Sequence, residues 1–174
     1  MKKSGALCVL CLAAALLAGC QAEVQWETVD DEIVEVSAPA EEPYIIIFGV
    51  PEDADLEPLS EEGRKLYVQT DGAYEILSDV VTAPNLDEAL RQVSGFGEGE
   101  IDVVETRRFG LPAYRFAWAS VSDEGSYLSQ ASLVADGNYY YALIFSVREE
   151  EGTAYDDCAE AVFASFGLYG NEML

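Results

Sequence analysis

The segment Asn138 to Val147 constrains the fold of this chain more than any other. Read as a strand, it places Tyr139, Tyr141, Leu143, Phe145 and Val147 on one side and Tyr140, Ala142 and Ile144 on the other. A strand apolar on both sides is covered on both sides, so it belongs in the middle layer of a three-layer structure. Three further strand-like runs precede it, at about Ile101 to Phe109, Ala113 to Ser122 and Ser126 to Ala135. The breaks between them carry Gly110-Leu111-Pro112, Asp123-Glu124-Gly125 and Asp136-Gly137. Short turns between long strands predict an antiparallel meander. Tyr114, Phe116 and Trp118 alternate onto one core-facing side of the second run.

Two helices supply the covers. Leu86, Ala89, Leu90 and Val93 form an apolar face; Asn85 is placed to accept from the first free amides, with Glu88 three residues on. That is an N-terminal capping pattern, and Gly95 ends the helix. A second helix is predicted from about Thr153 to Phe166, where Tyr155, Cys158, Ala159, Val162 and Phe166 share one face. Upstream, Tyr44 to Phe48 reads as a buried strand and residues 52 to 63 as an acidic loop. Leu66 to Gln69 and Ala73 to Leu77 read as a hairpin around Asp71-Gly72. The expected class is α+β: an α/β/α sandwich with an antiparallel sheet of about six to seven strands and a helix on each face.

This order of strand pair, helix, meander and C-terminal helix ends in Ala164-Ser165-Phe166, and the aromatic strand Asn138 to Phe145 leads into that helix. The pattern resembles the PsbP-like fold, which recurs in small bacterial lipoproteins. The likeness covers residues 44 to 168. It implies a non-enzymatic module that binds or stabilises other proteins, and it carries no site residue onto this chain.

The first residues have a different character. Lys2 and Lys3 precede an uncharged apolar stretch from Ala6 to Ala18, too short to span a bilayer, then Leu17-Ala18-Gly19-Cys20. A basic start, an apolar middle and a small-residue cleavage site describe a secretory signal peptide. The Leu-Ala-Gly-Cys ending resembles the lipobox of bacterial lipoproteins, which implies cleavage before Cys20 and acyl chains on it. Each buried CH₂ contributes about 0.8 kcal/mol, so more than one chain anchors stably. The expected organisation is a signal peptide over 1–19, an acidic tether over 20–43 and a globular domain over 44–174, held at the extracytoplasmic face of a bacterial membrane. Residues 21 to 43 contain eight acidic and no basic residues. Such a segment self-repels, although Trp26, Val29, Ile33, Val34 and Val36 give it an apolar centre.

Composition then removes whole classes of function. Losing Lys2 and Lys3 from nine basic residues leaves seven against 33 acidic ones, so the net charge of −24 becomes −26. That surface repels nucleic-acid phosphates and anionic headgroups. There is no histidine, so neither a Ser-His-Asp triad nor a Cys-His pair is available. Cys8 and Cys11 lie inside the leader, leaving Cys158 as a lone thiol that reads as a small buried hydrophobe.

Gly95-x-Gly97-x-Gly99 follows a helix instead of opening one, so it reads as a flexible loop and not as a phosphate cradle. Asp53, Asp55 and Glu57 have the spacing that opens an EF-hand loop, without its sixth-position Gly or twelfth-position Glu. Glu98, Glu100 and Asp102 alternate as on an exposed edge. Arg107 and Arg108 should face opposite sides, at least one pairing with a local carboxylate, and Arg115 should be structural. No catalytic residue, metal or cofactor is assigned. Trp26, Tyr127 and Tyr140 are the candidate interaction aromatics. The sequence therefore points to a monomeric, lipid-anchored binding or assembly module, non-enzymatic, with an envelope protein as partner. The alternative is a receptor for a small ligand or glycan.

Overall fold

The computed structural model describes residues 39–58, 63–122 and 125–170, all within one unit spanning Glu32–Leu174; the other unit, Met1–Asp31, lies outside the described residues. Eleven principal elements follow in chain order: β1 (Ile45–Ile47), β2 (Ala54–Leu56), β3 (Arg64–Gln69), β4 (Tyr74–Val81), α1 (Leu86–Ser94), β5 (Val103–Arg108), β6 (Leu111–Ser122), β7 (Gly125–Ala135), β8 (Tyr140–Arg148), α2 (Asp156–Ala164) and β9 (Gly167–Tyr169). Seven strands form one antiparallel sheet in the order β2-β3-β4-β8-β7-β6-β5.

β8 lies at the centre, as its two-sided apolar pattern requires. Tyr141, Leu143, Phe145 and Val147 enter a cluster closed by Ala159, Val162, Phe163 and Phe166 around α2. Ala142 and Ile144 enter the opposite cluster, with Ala89 and Leu90 of α1 and Phe116, Ala131 and Leu133 of the meander. Asn85 Oδ1 accepts from the Glu88 amide at 2.9 Å, and Gly95 takes a left-handed φ of 84° just past the last turn. An N-cap of this kind contributes about 1 kcal/mol.

Several local expectations change. Tyr44–Phe48 is not a buried strand of the main sheet: only Ile45–Ile47 is a strand, it pairs with β9, and Ile45 and Ile47 are exposed. Ile46, Tyr44 and Phe48 turn inward onto the α2 cluster. The acidic stretch 52–63 contains β2, held as an edge strand by β3. The β3–β4 turn is longer than Asp71-Gly72, because Gln69 Oε1 accepts from the amides of both Asp71 and Ala73 and rounds the corner. The turn into β6 is Phe109-Gly110, at φ 55° and 75°, the paired left-handed geometry of a two-residue hairpin. Leu111 and Pro112 belong to β6.

The body also reaches back to Pro39. Ala40 is buried, its carbonyl accepts from Asn138 Nδ2 at 2.7 Å, and the Glu41 carbonyl accepts from the Tyr139 hydroxyl.

The glycine run after α1 is a latch instead of a loose loop. The Gly97 amide donates to Glu100 Oε2 at 2.7 Å and the Glu98 amide to Asp87 Oδ1 at 2.6 Å. Arg91 pairs with both carboxylates, and a side chain at position 97 would collide with its guanidinium. The amides that a phosphate loop would aim at a ligand are occupied by the protein's own carboxylates.

Candidate interaction surface

The face of the sheet that carries α2 is only partly covered. Along β6 the residues on this face are Leu111, Ala113, Arg115, Ala117, Ala119 and Val121, by register with Val134, Ser132, Gln130 and Leu128 of β7. Leu111, Ala113 and Val134 are buried with Phe163 of α2 in the core. Arg115 marks the end of that cover: its guanidinium lies over the Phe163 ring, 5.1 Å from the centroid. Beyond it Ala117 and Ala119 are exposed, Val121 is 83% exposed and Leu128 of β7 is 40% exposed, while Val104 of β5, directly opposite Arg115, is 60% exposed. These five apolar residues form a strip and share the open face with the exposed Gln130, which stands opposite Ala117; an open apolar face marks a place where something else can pack.

A cleft of about 230 Å³ opens at the head of the strip, lined by Arg108, Arg115, Ser132, Glu160, Phe163 and Ala164. Its two arginines differ. Arg108 Nη2 donates to the carbonyls of Ala164 and Phe166 at 2.9 and 2.5 Å, Nε donates to Phe166, and the guanidinium lies 5.3 Å from the rings of Phe109 and Phe166. It caps the C-terminus of α2, where a helix presents free carbonyls and partial negative charge. Arg107 faces the other way and donates to the Gly110 carbonyl at 3.1 Å. Arg115 stacks on Phe163 and has no carboxylate within ion-pair distance among the described residues.

The remaining candidates sit elsewhere. Cys20 and Trp26 lie outside the described residues. Tyr127 and Tyr140 are half-buried and both point to the α1 side of the sheet. Tyr140 packs into the α1 cluster, where burial pushes its hydroxyl pKa up. Neither is joined to the strip. Cys158 is half-buried against the α2 cluster, and burial raises its pKa, which keeps the thiol protonated at neutral pH.

Asp53 is engaged by neighbours of its own. It accepts from the Tyr74 hydroxyl at 2.5 Å and from Gln69 Nε2 at 3.3 Å, and the Tyr74 bond holds its pKa below the usual value. Asp55 lies two residues on, in β2, opposite Val68 of β3. Asp136 accepts from the amides of Asn138 and Tyr139 and from the buried Tyr141 hydroxyl at 2.6 Å, fastening the β7–β8 turn. Among the described residues, no three His, Cys, Asp or Glu side chains gather as a metal site. No helix among them is long and apolar enough to cross a membrane.

No family model and no curated protein matches the chain. Solved structures do. The Ran-binding protein Mog1p of Saccharomyces cerevisiae superposes with a TM-score of 0.50 at 12% identity, over 73% of this chain and 92% of that one. LpqN of Mycobacterium tuberculosis, described as involved in cell envelope biogenesis, gives 0.49 at 16% identity over 75% and 87%. Cyanobacterial PsbP (CyanoP) from Synechocystis gives 0.46 at 13% identity over 71% and 86%. The likeness to Mog1p is one of fold.

Proposed function

We propose that this chain is a non-enzymatic binding or assembly module, held by lipid on Cys20 at the extracytoplasmic face of a bacterial membrane and acting on an envelope protein. The observation that carries the binding reading is the uncovered strip of Val104, Ala117, Ala119, Val121 and Leu128. An apolar sheet face left open beside a helix that covers the rest of it is a surface for a macromolecule. The carboxylates of Asp53 and Asp136 are bound to tyrosines and amides of the fold, which suits scaffold roles better than proton transfer. Mog1p, described as a Ran-binding protein, accords with a binding role for the fold.

The test is capture from native membranes after mild crosslinking, with tagged wild type and Val121→Asp as baits. A partner held by the wild type and lost by Val121→Asp supports the reading. A partner retained equally by both would remove the strip from it. Anchoring is checked separately: Cys20→Ala should release the protein or leave it unprocessed, and a processed, membrane-retained variant would overturn it.

The cleft favours a second reading, a small-ligand receptor, because polar groups of both signs converge there on an aromatic floor. Thermal shifts with calcium and cell-wall sugars test it.

A further inference from the structure

We infer that the cleft at the head of the strip binds a small zwitterion, an amino acid or a dipeptide, with its carboxylate on Arg115 and Ser132 and its ammonium group on Glu160. The inference rests on the second reading above, a small-ligand receptor, and names the ligand's chemistry.

Strand register sets the anion half of the site. Arg115 of β6 and Ser132 of β7 are directly opposite each other, so their side chains leave the same face side by side, with Cβ atoms about 5 Å apart. Ser132 lines the cleft and is only 4% exposed, yet its hydroxyl has no hydrogen-bond partner among the described residues. A buried hydroxyl without a partner is destabilising, and a fold that keeps one needs a reason for it. The neighbouring positions on this face carry Ala113 and Val134, which show what a purely structural residue there looks like. Arg115 is oriented without being satisfied. Its guanidinium lies over the Phe163 ring, 5.1 Å from the centroid, and meets no carboxylate within ion-pair distance among the described residues. A planar fork of N–H donors beside a hydroxyl matches the two oxygens of a carboxylate.

The cation half comes from α2. Glu160 lines the helix side of the same cleft and makes no ion pair among the described residues, with Arg115 or with any other cation. Arg108, the other cation of the cleft, is spent on the carbonyls that end α2. A purely anionic ligand would satisfy Arg115 but face Glu160 and a chain of net charge −24. A purely cationic one would leave Arg115 and Ser132 unmatched. A zwitterion meets both walls and approaches with no net charge. The cleft of about 230 Å³ is smaller than the about 300–1,000 Å³ of sites for drug-sized ligands, which sets the size at an amino acid or dipeptide. Phe163 and Ala164 complete the lining and favour an apolar side chain on it.

The probes are L-leucine and L-leucyl-L-leucine. Leucine amide, which lacks the carboxylate, N-acetyl-leucine, which lacks the ammonium group, and inorganic phosphate are the comparisons. Isothermal titration calorimetry against the full chain should show binding of leucine or the dipeptide, and the tighter of the two identifies the source of the zwitterion. The three comparison compounds should bind at least about tenfold more weakly, a difference of about 1.4 kcal/mol. Arg115→Gln should weaken the zwitterion by a similar factor. Glu160→Gln should weaken it and narrow its advantage over N-acetyl-leucine. Ser132→Ala should also weaken it while melting no lower than the wild type, because the lost hydroxyl has no partner in the fold. Circular dichroism of each variant establishes that it folds.

Equal binding of leucine, its amide and N-acetyl-leucine overturns the inference, as does an affinity unchanged by Arg115→Gln. A Ser132→Ala chain that melts below the wild type and binds leucine as well would return that hydroxyl to the fold and overturn it likewise. If neither zwitterion binds at millimolar concentration while a cell-wall sugar or calcium raises the melting temperature, the receptor reading stands and only this chemistry fails. If nothing binds, both fall.

Discussion

The two halves of the β6–β7 hairpin present the same face of the same two strands in opposite conditions. In the inner half Ala113 and Val134 are 2% and 0% exposed beneath Phe163; in the outer half Ala117, Ala119 and Val121 face solvent. Along β6 small and β-branched residues resume beyond Arg115, in Ala117, Ala119 and Val121. Length makes the difference. β6 has 12 residues and α2 has 9, so at 3.3 and 1.5 Å per residue they extend about 40 and about 14 Å. A helix of that length cannot cover such a hairpin. The outer apolar residues are therefore surplus to this chain's own core, and their presence there needs a reason outside the core.

The largest expected effect separates the halves by stability. Phe163→Ala removes the side chain that seats α2 on the sheet and should cost about 3–5 kcal/mol. Val121→Ala deletes apolar atoms that are already in water and should stay within about 0.5 kcal/mol. Urea unfolding of both variants reads the contrast. A cost above about 1 kcal/mol for Val121→Ala would mean that residues of the chain itself cover the outer half.

The inner half was legible in the sequence and the outer half was not. Alternation along Asn138 to Val147 names both faces of β8, and the spacing of Tyr155, Cys158, Ala159, Val162 and Phe166 names the helix face that meets one of them. Periodicity says which residues share a face, but not how far along it a helix extends. That limit also turned attention to Tyr127 and Tyr140, whose size suggests a binding aromatic although both lie on the α1 side. β2 and β9 escaped for a related reason. Each has only three residues, one ending two positions before Pro58 and the other starting at Gly167, and long-range pairing with β3 and β1 makes them strands. The glycine run after α1 looked loose because glycine signals freedom; the salt bridges that tighten it depend on Asp87, Arg91 and Glu100 meeting in space.

A smaller effect sharpens the boundary between the halves, where two arginines share one cleft. Arg108→Ala strips donors from the carbonyls that end α2 and should cost about 1.5–3 kcal/mol. Arg115→Ala loses only its stacking on Phe163 and should cost less than about 1 kcal/mol. Equal losses would show that Arg115 is needed to hold α2 down, and the division between a structural and a surface arginine would collapse.

The smallest effect lies on the opposite flank of the same face, where cover is completed by a polar contact instead of a helix. Tyr74 is buried, stacked on Phe145, and its hydroxyl reaches out to the exposed carboxylate of Asp53. That bond lowers the Asp53 pKa below its ordinary 3.8. A carboxylate with a depressed folded-state pKa stabilises the fold above its unfolded value and loses that contribution as pH falls through the folded one. Tyr74→Phe should therefore lower the melting temperature by a few degrees at neutral pH. The gap between variant and wild type should close as pH drops below about 3.8. Comparing the two proteins at each pH cancels the general response of so acidic a chain to protonation. A gap that persists unchanged at pH 2 would mean that Tyr74 supports this flank through packing of its ring environment alone, as Phe163 does in the inner half, and that the contact to Asp53 adds nothing.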